Sequence, residues 1–257
     1  MLEVATWPGR EPALVLLHGA GGNALWWEQV SESFSDRLVL AVDMPGHGQS
    51  PPPDSWKLRT TSEQVLEAIG ARTHPAIFCG HSWGGKVALQ LAATHPDRCS
   101  GLILMDPSPI SSVDASAQAI VERRFGAELT EWRTHDDAVA AVKDLPQYRN
   151  WQERMLAPFL RGIRPTPGGG YSPKASREVL IELATQTFIE DLSADAERVV
   201  CPTLLIISEE VRDWQESNAA LLPQAAVEYI SANHWMFVDN AADTISAMRN
   251  WMKRVGV

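Results

Sequence analysis

A chain of 257 residues, 45% of them hydrophobic, has enough apolar material for one large α/β domain or two small ones. Its formal net charge of −10 repels phosphate backbones and it carries no polybasic run, so neither nucleic acid nor a membrane is an expected partner. Three cysteines, Cys79, Cys99 and Cys201, stand at no metal-ligand spacing, which argues against a disulfide framework and a metal site and for buried thiols in a reducing cytoplasm.

The N-terminal stretch MLEVATWPGREP has no basic segment followed by an apolar one, so no signal peptide is expected, and no apolar run approaches the length of a membrane span. Ala13–Leu17 (ALVLL) is the first clear strand. A Gly-rich loop, HGAGGN, follows, and then a helix through Trp26–Phe34. Leu38–Val42 is a strand that runs into DMPGHGQSPPPD. Thr61–Ala71 is helical, Ala76–Cys79 a strand, Trp83–His95 a helix, and Gly101–Met105 a strand. Apolar runs that are continuous rather than alternating, separated by helical patterns, predict a mostly parallel, doubly wound α/β sheet buried on both faces.

From Pro107 to about Val199 the rhythm changes. Ala115–Phe125, Asp136–Leu145, Tyr148–Leu160 and Lys174–Asp191 have helical periodicity, interrupted by a loop rich in Gly and Pro, Arg161–Pro173. Strands return at Thr203–Ile207 and Val227–Ile230, and the chain closes on a helix, Ala241–Arg254. The predicted organisation is therefore a core of 1–106 and 200–257 with a helical block, 107–199, inserted between.

The chemistry centres on Gly80-His81-Ser82-Trp83-Gly84. The pattern Gly-x-Ser-x-Gly arises by chance in about one chain in ten of this length. Here a strand ends directly before it and a helix begins directly after it, as a nucleophile elbow requires. The glycines leave room where strand and helix close on each other, and the serine takes a strained backbone that exposes its hydroxyl. The alternative, a helix N-cap serine, leaves that context unused. A serine hydroxyl needs a base. His234, in SANHWMFVDN, follows the last strand and so lies at the same sheet edge as Ser82, whereas His74 and His95 lie in turns at the opposite edge. A tetrahedral intermediate needs amide donors. Those of Ala20, in LLHGAGGN, and of Trp83 are assigned, with Gly21 a near alternative to Ala20. The GAGG stretch lacks the features of a nucleotide loop, and no cofactor is expected.

The motifs LVLLHGAGGN, LVLAVDMPGHGQS, FCGHSWGGKVALQLAATHPDR, LILMDPSP, PTLLIIS and NHWMFVDN resemble those of the α/β-hydrolase superfamily, in its order and over nearly the whole chain. The resemblance implies a Ser-His-acid hydrolase of the esterase type, with 107–199 as its cap, and a first strand that is missing or reduced. It also exposes a departure. Family members usually carry the acid in a Gly-x-x-Asp pattern after the strand equivalent to Thr203–Ile207. Here the glycine falls on Ser208 and the aspartate on Val211, which accepts no hydrogen bond. Glu209, Glu210 and Asp213 are displaced from that place. Other members place the acid one strand after the nucleophile helix, which is Asp106. Asp106 is preferred because a strand end fixes a carboxylate better than a loop, with Glu210 as the alternative.

Ten tryptophans supply candidate pocket walls. Trp27 follows the oxyanion loop, Trp235 follows the base, and Trp151 falls in the cap; an apolar or aromatic group is their natural partner. Arg123, Arg124 and Arg133 fit a solvated helix face as well as a substrate carboxylate. The expected activity is hydrolysis of a small ester, thioester or lactone. Carbon–carbon bond hydrolysis, acyl transfer and lyase chemistry on the same triad, or a binding protein with a vestigial triad, are the alternatives. Nothing in the sequence sets the oligomeric state.

Overall fold

The computed structural model describes residues 1–70, 75–113, 131–143, 145, 148 and 150–257. The predicted helix 115–125, with Arg123 and Arg124, and His74 lie outside the described residues. Seven strands form one sheet: β1 (Val4–Trp7), β2 (Arg10–Leu17), β3 (Arg37–Val42), β4 (Ala76–His81), β5 (Cys99–Met105), β8 (Thr203–Ser208) and β9 (Ala226–Ile230), in the order β1-β3-β2-β4-β5-β8-β9. β1 runs antiparallel to β3, and every other pairing is parallel. The first strand is thus present but reduced to four residues, because only its pairing with β3 supports it at the sheet edge.

The continuous apolar runs have the predicted cause. Val15, Leu17, Phe78, Leu102, Leu104 and Leu205 face one layer, where they meet the helices Leu58–Ile69 and Trp83–Thr94. Their alternating neighbours Leu14, Leu16, Ile77, Cys79, Ile103, Leu204 and Ile206 face the other, with Trp27, Phe237, Met248 and Trp251. Each large side chain so buried contributes about 1.5–3 kcal/mol of transfer free energy. The C-terminal helix Ala241–Val255 turns Met248, Trp251 and Met252 inward and ends at Gly256, whose φ of 77° closes it.

The segment between β5 and β8 differs from its prediction in two places. The helix expected over Tyr148–Leu160 is confined to a 3₁₀ turn, Glu153–Met155, and a short helix, Leu156–Arg161. The expected loop Arg161–Pro173 forms a small hairpin, β6 (Ile163–Pro165) with β7 (Tyr171–Pro173), closed by Thr166 and Gly170. Backbone pairing replaces the side-chain anchors that this stretch lacks. Helices His135–Val142 and Arg177–Ile189 flank it.

Register brings the strand ends together. Leu17 pairs with Gly80, His81 with Met105, and Met105 with Ile206. His18, Ser82 and Asp106, which each follow a strand, and Ser208, the last residue of β8, therefore share the C-terminal edge, where ligands of parallel sheets bind. Among the described residues no helix is long and apolar enough to cross a membrane.

Candidate active site

Ser82 stands between β4 and the helix Trp83–Thr94 with φ 53° and ψ −119°. A non-glycine residue there costs on the order of 1–3 kcal/mol and persists only where its surroundings fix it. Four backbone bonds do so. Its N–H donates to Met105 O at 3.0 Å, and its carbonyl accepts from Gly85, Lys86 and Ser108 at 3.0, 3.3 and 3.0 Å. The flanking glycines have a measurable reason. A Cβ on Gly80 would sit 2.2 Å from Gly84 O, and one on Gly84 would sit 2.4 Å from Leu17 O.

Asp106, the first residue past β5, is fully buried and also lies at positive φ, 40°. Its amide donates to Ile206 O at 2.9 Å. Its carboxylate accepts from the Ser208 amide at 2.9 Å and from the Ser208 hydroxyl at 2.5 Å. His234 Nδ1 lies 3.2 Å from Asp106 Oδ2. A carboxylate on Nδ1 selects the tautomer that carries its proton there and leaves Nε2 as the nitrogen able to accept one. Glu210, the alternative acid, is exposed and meets His234 at the backbone, accepting its N–H at 2.9 Å.

The loop that carries His234 is held from several sides. His81 Nε2 donates to the His234 carbonyl at 2.8 Å, and the two rings lie 4.5 Å apart. Asn233 accepts from the Trp235 amide, and the Asn233 amide donates to Asp239. Ser208 and His81 were not singled out from sequence. Ser208 stands where the family pattern has glycine, and His81 sits inside the elbow motif itself.

The Gly-rich loop after β2 is braced by two buried histidines and a buried aspartate. His18 Nδ1 donates to Gly19 O and its Nε2 accepts from the Met44 amide. His47 Nδ1 donates to Pro45 O and its Nε2 accepts the Gly21 amide at 3.0 Å. Burial and the proximity of His47 push the His18 pKa down to about 3, and burial also lowers that of His47, so both rings are neutral. The Gly21 N–H is engaged by His47, which leaves the amides of Ala20 and Trp83 as the candidate oxyanion donors. Asp43 accepts from the amides of Ala24 and Gln49 at 2.7 and 2.8 Å and pairs with Arg161 at 2.7 Å. Asn23 reaches Pro158 O at 2.8 Å. Asp43 and His47 stand in DMPGHGQS, a stretch whose sequence marks a loop and a family motif but gives these two residues no role.

Ser82 and His234 open into one cavity of about 710 Å³, which Ala20, Trp83 and Glu210 also line. Of the three tryptophans assigned to it, Trp235 lines it. Trp27 does not. It is fully buried and stacked on Phe237 at 4.1 Å, because the 3₁₀ turn Ala24–Trp27 sends it into the core and its neighbour Trp26 into the cavity. Trp151 is likewise corrected. It packs behind Tyr148 and Phe159, at 5.9 and 5.7 Å, and these two form the wall. Arg133 is exposed at the surface, away from the cavity lining.

Residues 14–247 match the model of the alpha/beta hydrolase family. The chain belongs to that family. Among curated relatives it is 27% identical over 253 residues to the sn-1-specific diacylglycerol lipase ABHD11 of Mus musculus, covering 94% of this chain and 81% of that protein. It is 32% identical over 170 residues to the pimeloyl-[acyl-carrier protein] methyl ester esterase of Methylococcus capsulatus, covering 65% of this chain and 64% of that one. Among solved structures, E-2-(acetamidomethylene)succinate hydrolase superposes with a TM-score of 0.86 at 24% identity, over 98% of this chain and 95% of the other. At that identity the likeness speaks for the fold.

Proposed function

We propose that the chain is a serine hydrolase of carboxylic esters, working through an acyl-enzyme on Ser82 beneath a cap formed by 107–199. The observation that carries the reading is the pairing of His234 Nδ1 with a fully buried Asp106 at 3.2 Å, in a cavity that the strained Ser82 also enters. A buried carboxylate on one imidazole nitrogen and a serine held on a positive-φ turn have little structural use together. Esterase and lipase relatives support the same reading.

In the proposed cycle His234 Nε2 takes the Ser82 proton as Oγ attacks the ester carbonyl. The oxyanion is held by the amides of Ala20 and Trp83. Asp106 stabilises the imidazolium, and Ser208 holds Asp106. His234 returns the proton to the departing alkoxide, the C–OR bond breaks, and the alcohol leaves. Water, deprotonated by His234, then attacks the acyl-enzyme, and the acid is released with Ser82 restored. Every proton is carried by protein groups or water, so the cycle needs no cofactor. Turnover of p-nitrophenyl acetate and butyrate by purified protein tests the proposal. Release above a Ser82→Ala control is expected, and none at any chain length would sink it.

A further inference from the structure

The cavity has two chemically different walls, and each is tied to a different part of the site. Trp235 directly follows His234. It meets Trp26 edge-on at 5.0 Å and Tyr148 at 6.2 Å, and Trp26 and Tyr148 lie 5.9 Å apart. This wall is aromatic and borders the base.

The other wall is mostly aliphatic, with Phe188 its one aromatic member from the helix Arg177–Ile189. Leu180, Leu183, Ala184 and Thr187, at i, i+3, i+4 and i+7, form the inward face of the helix Arg177–Ile189 and line the cavity. That helix is tied to the helix that Ser82 opens. Lys86, a buried residue one turn past Ser82, donates from Nζ to the carbonyls of Thr187 and Glu190 at 2.7 and 2.5 Å. The pairing fixes the aliphatic face against the nucleophile's own helix.

Mechanism assigns an occupant to each wall. The leaving oxygen must take its proton from His234, so it departs on the His234 side. Asp106 holds Nδ1, which turns the opposite nitrogen to that oxygen. The alcohol portion then lies along the wall that begins with Trp235, and the acyl chain takes the remaining space. Flat rings pair with aromatic side chains beyond their area burial, whereas a Leu-lined face offers area burial alone, which a chain of methylenes supplies as well as a ring does. A volume of about 710 Å³ accommodates both portions at once.

We infer that the enzyme selects esters with an aromatic alcohol portion, received by Trp26, Tyr148 and Trp235, and a straight aliphatic acyl portion, received by Leu180, Leu183 and Ala184. The inference rests on the ester-hydrolase reading above, and it adds the class of substrate to it.

The test compares benzyl with pentyl esters, whose alcohols are leaving groups of similar acidity, and acetate with butyrate, hexanoate and octanoate. Wild type is expected to prefer benzyl over pentyl by about three- to tenfold in kcat/KM, the size of an aromatic pair contact. Trp26→Leu removes that preference and leaves the acyl-length profile in place. Leu183→Trp shortens the longest acyl chain accepted and leaves the benzyl preference in place. A second readout uses the acyl-enzyme, which all esters of one acid share and which has already lost its alcohol. The deacylation rate constant for butyrate, measured after a p-nitrophenol burst, moves in Leu183→Trp and stays within about twofold in Trp26→Leu. Tyr148→Leu and Ala184→Val repeat the two arms if either first variant fails to fold. Turnover with no benzyl preference, or with the two variants exchanging effects, overturns the assignment while the hydrolase reading stands. No turnover of any ester overturns both.

Discussion

The sheet edge and the inserted segment solve opposite problems. At the edge, two non-glycine residues, Ser82 and Asp106, hold positive φ, and both are pinned by backbone bonds from adjacent strands. Strain is tolerable there because parallel pairing fixes every strand end to its neighbour. The inserted segment carries a 13-residue helix, shorter helices and a three-residue-per-strand hairpin. It meets the core through apolar side chains such as Ile110, Leu183 and Leu192 and through polar clasps: Arg161 on Asp43, Asn23 on Pro158, Lys86 on Thr187 and Lys174 on Gly48. Its side chains supply most of the cavity wall. On the proposed reading, the difference teaches that reaction chemistry rests on backbone geometry, which tolerates little change, and selectivity on side chains of the inserted layer.

The sharpest way to break the comparison is at the edge. An asparagine at 106 keeps the shape but favours the wrong imidazole tautomer. Asp106→Asn is expected to lower kcat about 10²–10⁴-fold with little change in KM, in a protein shown to be folded. Glu210→Gln, at a cavity-lining residue that bonds His234 only through the backbone, is expected to cost less than about tenfold on the same neutral esters. A large loss in Glu210→Gln with near-normal kcat in Asp106→Asn would move the acid to the loop after β8.

The clasp between the regions comes next. Arg161→Gln leaves the Asp43 carboxylate buried without its ion partner. Losing one partner of a buried pair costs about 3–5 kcal/mol. With Arg161 21% exposed and two amides still on Asp43, about 2–4 kcal/mol is expected in urea unfolding. A loss below about 0.5 kcal/mol would show the clasp to be idle.

A smaller effect follows from pH. The folded state keeps His18 neutral down to about pH 3, while the unfolded chain binds the proton below about 6.5. The unfolded state then holds more protons, so the stability is complete above pH 6.5 and is lost as pH falls from there toward 3. The limiting slope is about 1.4 kcal/mol per pH unit for one group. Urea unfolding at pH 7, 6 and 5 is expected to show this loss, and His18→Asn to flatten it. Equal slopes in both proteins would contradict the neutral, buried ring. The mildest contrast is in hydrogen exchange. The amides of 166–170, at the hairpin tip, are expected to exchange well before those of β4, and equal protection would erase the distinction between the regions.

Much of the edge was legible in the sequence and little of the inserted segment. Strands such as Ala76–Cys79 and Thr203–Ile207 announce themselves because burial on both faces demands unbroken apolar runs. Ser82 and His234 could be proposed from the sequence because a strand-turn-helix motif and chain order place both at one sheet edge. Ser208 and Asp43 were invisible because a partner's carboxylate or amides define their use, and those partners lie 102 and 19 residues away. Trp27 was mistaken for Trp26 because the rotation of a 3₁₀ turn is set by packing on Phe237. The hairpin 163–173 was hidden because its stability comes from backbone pairing rather than an apolar pattern.

The central claim is that Ser82 is the nucleophile, and a fluorophosphonate tests it most directly. Intact-mass measurement is expected to show one adduct per chain, peptide mapping to place it on Ser82 within FCGHSWGGK, and Ser82→Ala to abolish it. An adduct on another residue, or none in a protein shown to be folded, would contradict the account.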